Sequence, residues 1–468
     1  MDKETFRQYG HEFIDWIADY FDNAGEYPVR SVVNPGDIKS KLPGRPPQVG
    51  EEMAVIWKDF QEIILPGITH WQHPGWFAYF PANNSPASVL GELLTAGIGA
   101  QCMIWETSPA AAELEETVLD WLRQMLGLPE GFNGVIQDTA STATLCALLT
   151  AREVATGFSG NEKGITEKLR VYASREAHSS IEKGVKIAGY GRRNLCYIPT
   201  DKNYALRPDI LEQSISDDLQ KGMKPACVIA TIGTTSSTAI DPLPEIGRIC
   251  RKYGIWLHVD AAFTGTAAIL EENSDLLNGS EYMDSFVFNP HKWLFTNFDC
   301  SAYFVKDPEL LIRTMTINPE YLKTSRDEQV NNYRDWGIQL GRRFRALKLW
   351  FVIREFGVGG LKEIIRKHIE LAQLFAGWIR SARDFELMAP VSTNLVCFRW
   401  NDWHKNETEL DKLNKKLLNK INESGQVYLT HTTLSGKYTI RMAVGQRTTE
   451  KHDVTRAWEI IKASAEKI

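Results

Sequence analysis

Between about residues 85 and 350 the chain alternates short runs that are apolar at nearly every position with longer stretches whose apolar residues recur at helical spacing. The runs are "LRVYAS" (169–174), "ACVIATIG" (226–233), "GIWLHVDAA" (254–262), "DSFVFN" (284–289) and "CSAYFVK" (300–306). A strand that is apolar on both faces is covered on both, and helical lengths between strands supply the crossovers that parallel strands need. The pattern therefore predicts an α/β fold with a mostly parallel sheet and a ligand at the carboxyl ends of its strands.

The flanks read differently. Residues 4–22 carry Phe6, Tyr9, Phe13, Ile14, Ile17 and Phe21 along one helical stripe, wide enough to need a partner surface; such an arm often packs on another subunit. "NPGDIKSKLPGRPPQVG" (34–50) is an extended connector, and a second helix near 51–64 closes the segment. After "FGVGGL" (356–361) the pattern becomes helix (361–383), strand (393–400), helix (408–423), two strands (426–431 and 437–444) and a final helix (450–467). The expected organisation is an N-terminal helical arm (1–84), a large domain (85–350) and a small α+β C-terminal domain (351–468).

Composition narrows the function classes. With 468 residues, 43% apolar and 24% charged, the chain can bury a large core, and a net charge of −6 gives no electrostatic reason to expect nucleic acid or an anionic membrane. The basic cluster "GRRFRALK" (341–348) reads as local ion pairing on a helix. No run of 18 apolar residues occurs, and "MDKETFRQYG" is charged where a signal peptide would be apolar, so a cytoplasmic location is expected. The seven cysteines lie singly at 102, 146, 196, 227, 250, 300 and 397, the pattern of reduced thiols rather than of disulfides or zinc ligands.

Three strand ends carry complementary polar groups: Thr234 and Thr235 in "ATIGTTSST", His258 and Asp260 in "HVDAAF", and Asn289, His291 and Lys292 in "NPHKW". Upstream, "QDTASTATLCALLTAREVA" opens a helix with Thr139, Ala140, Ser141 and Thr142, where hydroxyls and free N–H groups favour an anion. Each feature alone is an ordinary cap or a solvated side chain. Together they suit an aldehyde cofactor bearing a phosphate. A lysine of depressed pKa can form a Schiff base, and a carboxylate such as Asp260 keeps the pyridine nitrogen of pyridoxal 5'-phosphate protonated. His70-x-x-His73 hints at a metal pair, but no carboxylate or cysteine accompanies it at ligand spacing, so no metal is expected.

"THWQHPGWFAYFP", "SPAAAELE", "AHSS", "GTT", "WLHVDAAF", "FNPHKW", "NFDCSA" and "LGRRFRALKLWFV", in this order over nearly the whole chain, resemble the group II pyridoxal-phosphate decarboxylases, and most closely the aromatic L-amino acid decarboxylases. The resemblance implies the aspartate-aminotransferase-like fold (fold type I), an arm swapped between subunits, and an obligate homodimer with active sites at its interface. It implies that Lys292 holds the cofactor as a Schiff base with His291 beside the phosphate. Asp260 would pair with the pyridine nitrogen, Thr139, Ala140, Ser141 and Asn289 would hold the phosphate, and Thr235 would lie near the ring. His178 would stack on the ring and meet the substrate carboxylate, and Tyr79, Phe80 and Pro81 would line the substrate pocket.

The segment 318–336 is polar and charged, as a mobile lid should be. In the family resembled, a lid tyrosine matching Tyr321 delivers a proton to the substrate's Cα, whereas phenylalanine there yields aldehyde, ammonia and peroxide. Tyr321 with His178 therefore favours an arylalkylamine over the alternative of an aromatic aldehyde synthase. Gly341 matches the form that leaves room for a larger ring. Three departures blur the substrate: Ala82 lacks a hydroxyl that dopa-using enzymes place there, Gln101 and Met103 replace apolar and aromatic residues given by the partner subunit, and Phe263 stands where tyrosine is common. Tryptophan, phenylalanine, tyrosine, dopa and 5-hydroxytryptophan stay open, the first two ahead; glutamate is disfavoured. Transamination or side-chain lysis, and a non-catalytic dimeric binding protein, are the remaining readings.

Overall fold

Alternate residues along each central strand enter different cores. In the computed structural model, which describes residues 1–468 except Asn318, Pro319, Lys323, Glu328 and the side chain of Tyr321, Val228 and Ala230 pack with Leu211, Ile215, Ile246 and Ile249, whereas Cys227 and Ile229 pack with Leu148, Ala151, Ile181 and Val185. Successive strand residues point to opposite faces, so helices cover both sides of the sheet and the strands are apolar throughout for that reason.

The strands are β1 (Asn133–Gln137), β2 (Leu169–Ser174), β3 (Leu195–Ile198), β4 (Lys224–Thr231), β5 (Trp256–Asp260), β6 (Ser285–Phe288) and β7 (Ser301–Val305), in the order β1-β7-β6-β5-β4-β2-β3. β3, β2, β4, β5 and β6 pair in parallel, and β7 alone runs the other way, antiparallel to both β6 and β1. Register aligns Thr231 with Asp260 and Asp260 with Val287, so the carboxyl ends of β4, β5 and β6 lie side by side. This alignment turns scattered sequence positions into one site.

A second sheet, β8 (Phe385–Leu387), β9 (Leu395–Trp400), β10 (Thr430–Leu434) and β11 (Lys437–Ala443), is antiparallel in the order β10-β11-β9-β8 and has its own core. The helix Arg345–Ser381 serves both. Leu349, Val352, Leu361 and Ile365 join the first core and Leu371, Phe375 and Ile379 the second, and the helix breaks at Gly357, whose φ of 63° and ψ of 163° no helical residue adopts. The sequence pattern placed the helix start at 361, so the half before Gly357 extends it.

Two other expectations shift. The strand expected at 426–431 occupies Thr430–Leu434, because Tyr428 instead bridges Trp76. The basic cluster does pair, but across the fold rather than along one helix: Arg342 meets Glu115 at 2.6 Å, Arg343 and Lys348 meet Glu92 at 2.9 and 3.0 Å, and Arg345 meets Asp299 at 3.0 Å.

The N-terminal helix Lys3–Asn23 buries no residue; Phe13 and Trp16 pack on Trp57 and Phe60 while Phe6 is exposed. The helix Pro86–Ile98 seats Gly91 so closely that a Cβ there would come 2.8 Å from Lys348 Cα, yet it exposes Leu90, Leu93, Leu94 and Ile98. Among the described residues no helix is long and apolar enough to cross a membrane.

Candidate active site

β5 ends in Asp260, which is buried, and its Oδ1 accepts the N–H of Ala262 at 3.0 Å, turning the chain away from the sheet. β6 leads into Asn289, whose N–H donates to Ala262 O at 3.1 Å and whose Oδ1 accepts from Ser301 Oγ at 2.7 Å. These two bonds fix the start of the four-residue helix Pro290–Trp293, which carries Lys292. Opposite lies the first turn of the helix Ala140–Thr156, whose Ala140 and Ser141 N–H groups have no partner inside the helix. Between these elements is a cavity of about 250 Å³. Lys292, Asp260, Asn289 and His291 line it, as do Thr139, Ala140, Ser141, His178, Thr235 and Phe80.

Enclosure pushes the Lys292 amine below the usual lysine range, and the charge of Asp260 opposes the shift. A lysine so lowered supplies more of the neutral, nucleophilic form. His291 accepts the Cys300 N–H at Nδ1, 2.9 Å away, so its proton sits on Nε2, and burial first, then Lys292, hold its pKa down at about 3. His178 is fixed likewise: its Nδ1 lies 3.2 Å from the Ser180 N–H and 2.8 Å from Ser180 Oγ, leaving Nε2 as the donor. The surrounding protein lowers the His178 pKa, with Asp260 opposing.

An aromatic stack closes one wall. Phe80 lies on Phe263 with centroids 3.9 Å apart, Phe263 on Trp293 at 5.1 Å, and Lys292 Nζ stands 5.5 Å from the Phe80 ring. The site thus holds an amine for an aldehyde, an acid for a pyridinium, and helix-end amides with a neutral histidine donor for a phosphate. That donor set fits pyridoxal phosphate.

Other expected residues lie apart from the cavity within one chain. Tyr79, left-handed at φ 54°, is half exposed beside Trp71 and Tyr428, Pro81 is buried against Gly445, and Ala82 O accepts from Gln72 Nε2 at 2.8 Å. Gln101, Met103 and Gly341 gather elsewhere: Gln101 Oε1 accepts the Arg342 N–H at 2.7 Å, a Cβ on Gly341 would meet Gln101 Nε2 at 3.3 Å, and Met103 O accepts the Arg334 N–H. The backbone of Tyr321 lies in the turn Glu320–Leu322, and its side chain is outside the described residues. The polar segment around it is better anchored than its composition implies: Leu322, Tyr333 and Trp336 are buried, and Arg334 Nη1 donates to Leu322 O. His70 and His73 have other partners, Tyr20 OH and the Gly75 N–H.

Sequence reasoning missed Arg441. It is buried on β11, donates to Thr235 O at 2.7 Å and Ser236 O at 3.0 Å, and stands 5.3 Å from the Phe80 ring with burial lowering its pKa. A lone arginine inside the apolar run "YTIRMAV" was the available signal.

The family model described as "Pyridoxal-dependent decarboxylase conserved domain" matches residues 35–401. The chain belongs to the pyridoxal-dependent decarboxylases. Among curated members it is similar to tryptophan decarboxylase 2 of Oryza sativa subsp. japonica, with 45% identity over 100% of this chain and 96% of the relative. It is similar to the same degree to phenylacetaldehyde synthase of Arabidopsis thaliana, 45% identical over 99% of this chain and 96% of that one. The decarboxylase fold is matched in detail by the crystal structure of Oryza sativa TDC with PLP and tryptamine, with a TM-score of 0.97 and 37% identity, covering 100% of this chain and 99% of that one.

Proposed function

We propose that the protein decarboxylates an aromatic L-amino acid to its arylalkylamine and CO2, with pyridoxal phosphate bound through Lys292. The observation that carries this reading is the meeting of Lys292, Asp260 and His178 in one cavity whose far wall is a helix N-terminus. The relatives named tryptophan decarboxylase and phenylacetaldehyde synthase support an aromatic substrate.

When bound, the cofactor supplies an electron sink that lets the substrate's carboxylate leave as CO2. The protein's own groups do the rest. Lys292 would contribute the amine that holds the cofactor. The buried Asp260 carboxylate would pair with the cofactor's pyridine nitrogen and hold its proton. The Ala140 and Ser141 N–H groups, Thr139, Asn289 and His291 would hold the phosphate, and Thr235 would lie near the ring. His178, its donor on Nε2, would stack on the ring and meet the substrate carboxylate. The stack of Phe80, Phe263 and Trp293 excludes water, which strengthens each of these interactions. Tyr321, whose side chain lies outside the described residues, would deliver the proton to the substrate's Cα.

We further read the protein as an obligate homodimer, in which the arm of residues 1–84 is exchanged and Gln101, Met103 and Gly341 reach the partner's substrate beside Tyr79, Pro81 and Ala82. The exposed Phe6 and Ile14 of the arm and Leu90, Leu93, Leu94 and Ile98 of the helix Pro86–Ile98 support this. Residues 85–350 and 351–468 form the large and small domains, with Gly357 near their junction supporting the division. Seven unpaired thiols support a reducing compartment, hence the cytoplasm.

The test is a product assay on the purified holoprotein with tryptophan, phenylalanine, tyrosine, dopa, 5-hydroxytryptophan and glutamate, with and without oxygen. Amine and CO2 in equal amounts, independent of oxygen and absent in Lys292→Ala, are the expected result. Aldehyde with peroxide would instead select the aldehyde synthase, which the Arabidopsis thaliana relative keeps in view.

A further inference from the structure

Asn83, 1% exposed, is buried against the backbone of the segment that carries Lys292. Its backbone N–H donates to His291 O at 3.2 Å. Its Nδ2 donates to Lys292 O at 2.6 Å and to Gly445 O at 2.7 Å, and its Oδ1 accepts the Arg447 N–H at 2.9 Å. Only a primary amide of this length offers two donors and an acceptor in that plane. Aspartate would turn an acceptor toward two carbonyls, and serine or alanine would leave buried carbonyls unpaired.

Two of these carbonyls, those of His291 and Lys292, belong to the short helix Pro290–Trp293, whose C-terminal end has no helical continuation to bond them. Gly445 and Arg447 follow directly on β11, the strand whose Arg441 grips Thr235 O and Ser236 O beside the cavity. The approach is tight: a Cβ on Gly445 would come 3.0 Å from Pro81 Cγ. Phe80, which stands 5.5 Å from Lys292 Nζ, lies three positions before Asn83 on the same segment. One carboxamide therefore joins the lysine's backbone, the wall beside its amine, and the second sheet.

We propose that Asn83 is a positioning residue for Lys292, tying the lysine's carbonyl to Gly445 and Arg447 and so setting the direction from which its amine enters the cavity. The inference rests on Lys292 being the residue that holds the cofactor.

The experiment uses the full-length chain and its Asn83→Ser, Asn83→Ala and Asn83→Asp variants. Pyridoxal phosphate affinity is measured by absorbance titration, together with the pH midpoint of the lysine-bound absorbance band and the melting temperature. Borohydride reduction and peptide mapping locate the attachment in the parent. The expected result is attachment at Lys292, affinity weakened about tenfold or more in Asn83→Ser and further in Asn83→Asp, a displaced pH midpoint, and kcat lowered more than KM is raised. Asn83→Ser, the mildest change, decides the matter where the other variants do not accumulate. Affinity and pH midpoint within twofold of the parent, with only the melting temperature lowered, would reduce Asn83 to a structural tie and overturn the inference while leaving Lys292 in its role. Attachment at any residue other than Lys292 in the parent would overturn both.

Discussion

The backbone N–H of Cys300 donates to Nδ1 of His291 at 2.9 Å, which fixes the ring as a neutral donor through Nε2 beside the residue proposed to hold the cofactor. A protonated imidazole has no acceptor for that N–H, so the contact and burial together exclude the charged form.

His291 is one of five buried histidines whose pKa burial lowers, with His70, His73, His258 and His368. His291 and His368 are held down at about 3, and His73 and His258 at about 4, each mainly by burial. Below the ordinary value of 6.5 the unfolded chain binds protons that the folded one refuses, so this stabilisation is complete above 6.5 and is lost as pH falls toward 4. Asp241 and Asp284, raised by burial to about 7 and about 6, act in the opposite sense, since they keep protons in the fold that the unfolded chain releases. The histidines outnumber them, and the melting temperature falls on acidification from pH 6.5 to 4 in scanning calorimetry. A flat or rising profile across that window contradicts this balance.

Replacing Gly341 tests substrate choice. A Cβ at 341 comes 3.3 Å from Gln101 Nε2, and Gln101 cannot simply retreat because its Oε1 holds the Arg342 N–H at 2.7 Å. In Gly341→Ser the ratio of kcat/KM for tryptophan to that for tyrosine drops about 10-fold to 200-fold, the worth of a small group in a ring pocket. An unchanged ratio removes residue 341 from the substrate's surroundings.

Tyr321→Phe removes the proposed proton donor. Amine formation falls by about 10² to 10⁴, and oxygen uptake with peroxide and aldehyde appears in its place. Oxygen-electrode and amine assays on the same sample distinguish this from simple loss of activity, which would assign the proton to another group.

Glu115 and Arg342 form a buried ion pair at 2.6 Å, with side chains 3% and 7% exposed, and Glu115 also accepts the Ile136 N–H at the end of β1. Glu115→Ala leaves a buried guanidinium without its carboxylate and costs about 3–5 kcal/mol in urea unfolding. Glu115→Leu combined with Arg342→Met recovers most of that loss, because the uncompensated charge goes with it. Equal stability of the single and double variants would show that the arginine finds other partners.

The strands that carry the cavity were legible because each is apolar on both faces and ends in polar residues that line it. Lys292, Asp260 and Asn289 therefore sit at positions where sequence and site coincide. β1 and β3 were not legible: "NGVIQ" and "LCYI" are too short to show a period. Arg441 and Asn83 escaped for another reason, since their roles lie in backbone carbonyls far away in the sequence, and no spacing rule encodes a partner 200 residues distant. The basic cluster misled in the same way, its partners Glu92, Glu115 and Asp299 belonging to other elements.

The exposed leucines of the helix Pro86–Ile98 reach beyond the interface they suggest. Gly91, on the same helix, presses on Lys348, and Ser88 Oγ accepts the N–H of Asn297, in the loop that leads to Cys300 and so to His291. If a second copy covers those leucines, mass action links protein concentration to heat resistance. Dilution then acts on this protein as a denaturant, and it reaches the cavity through that helix.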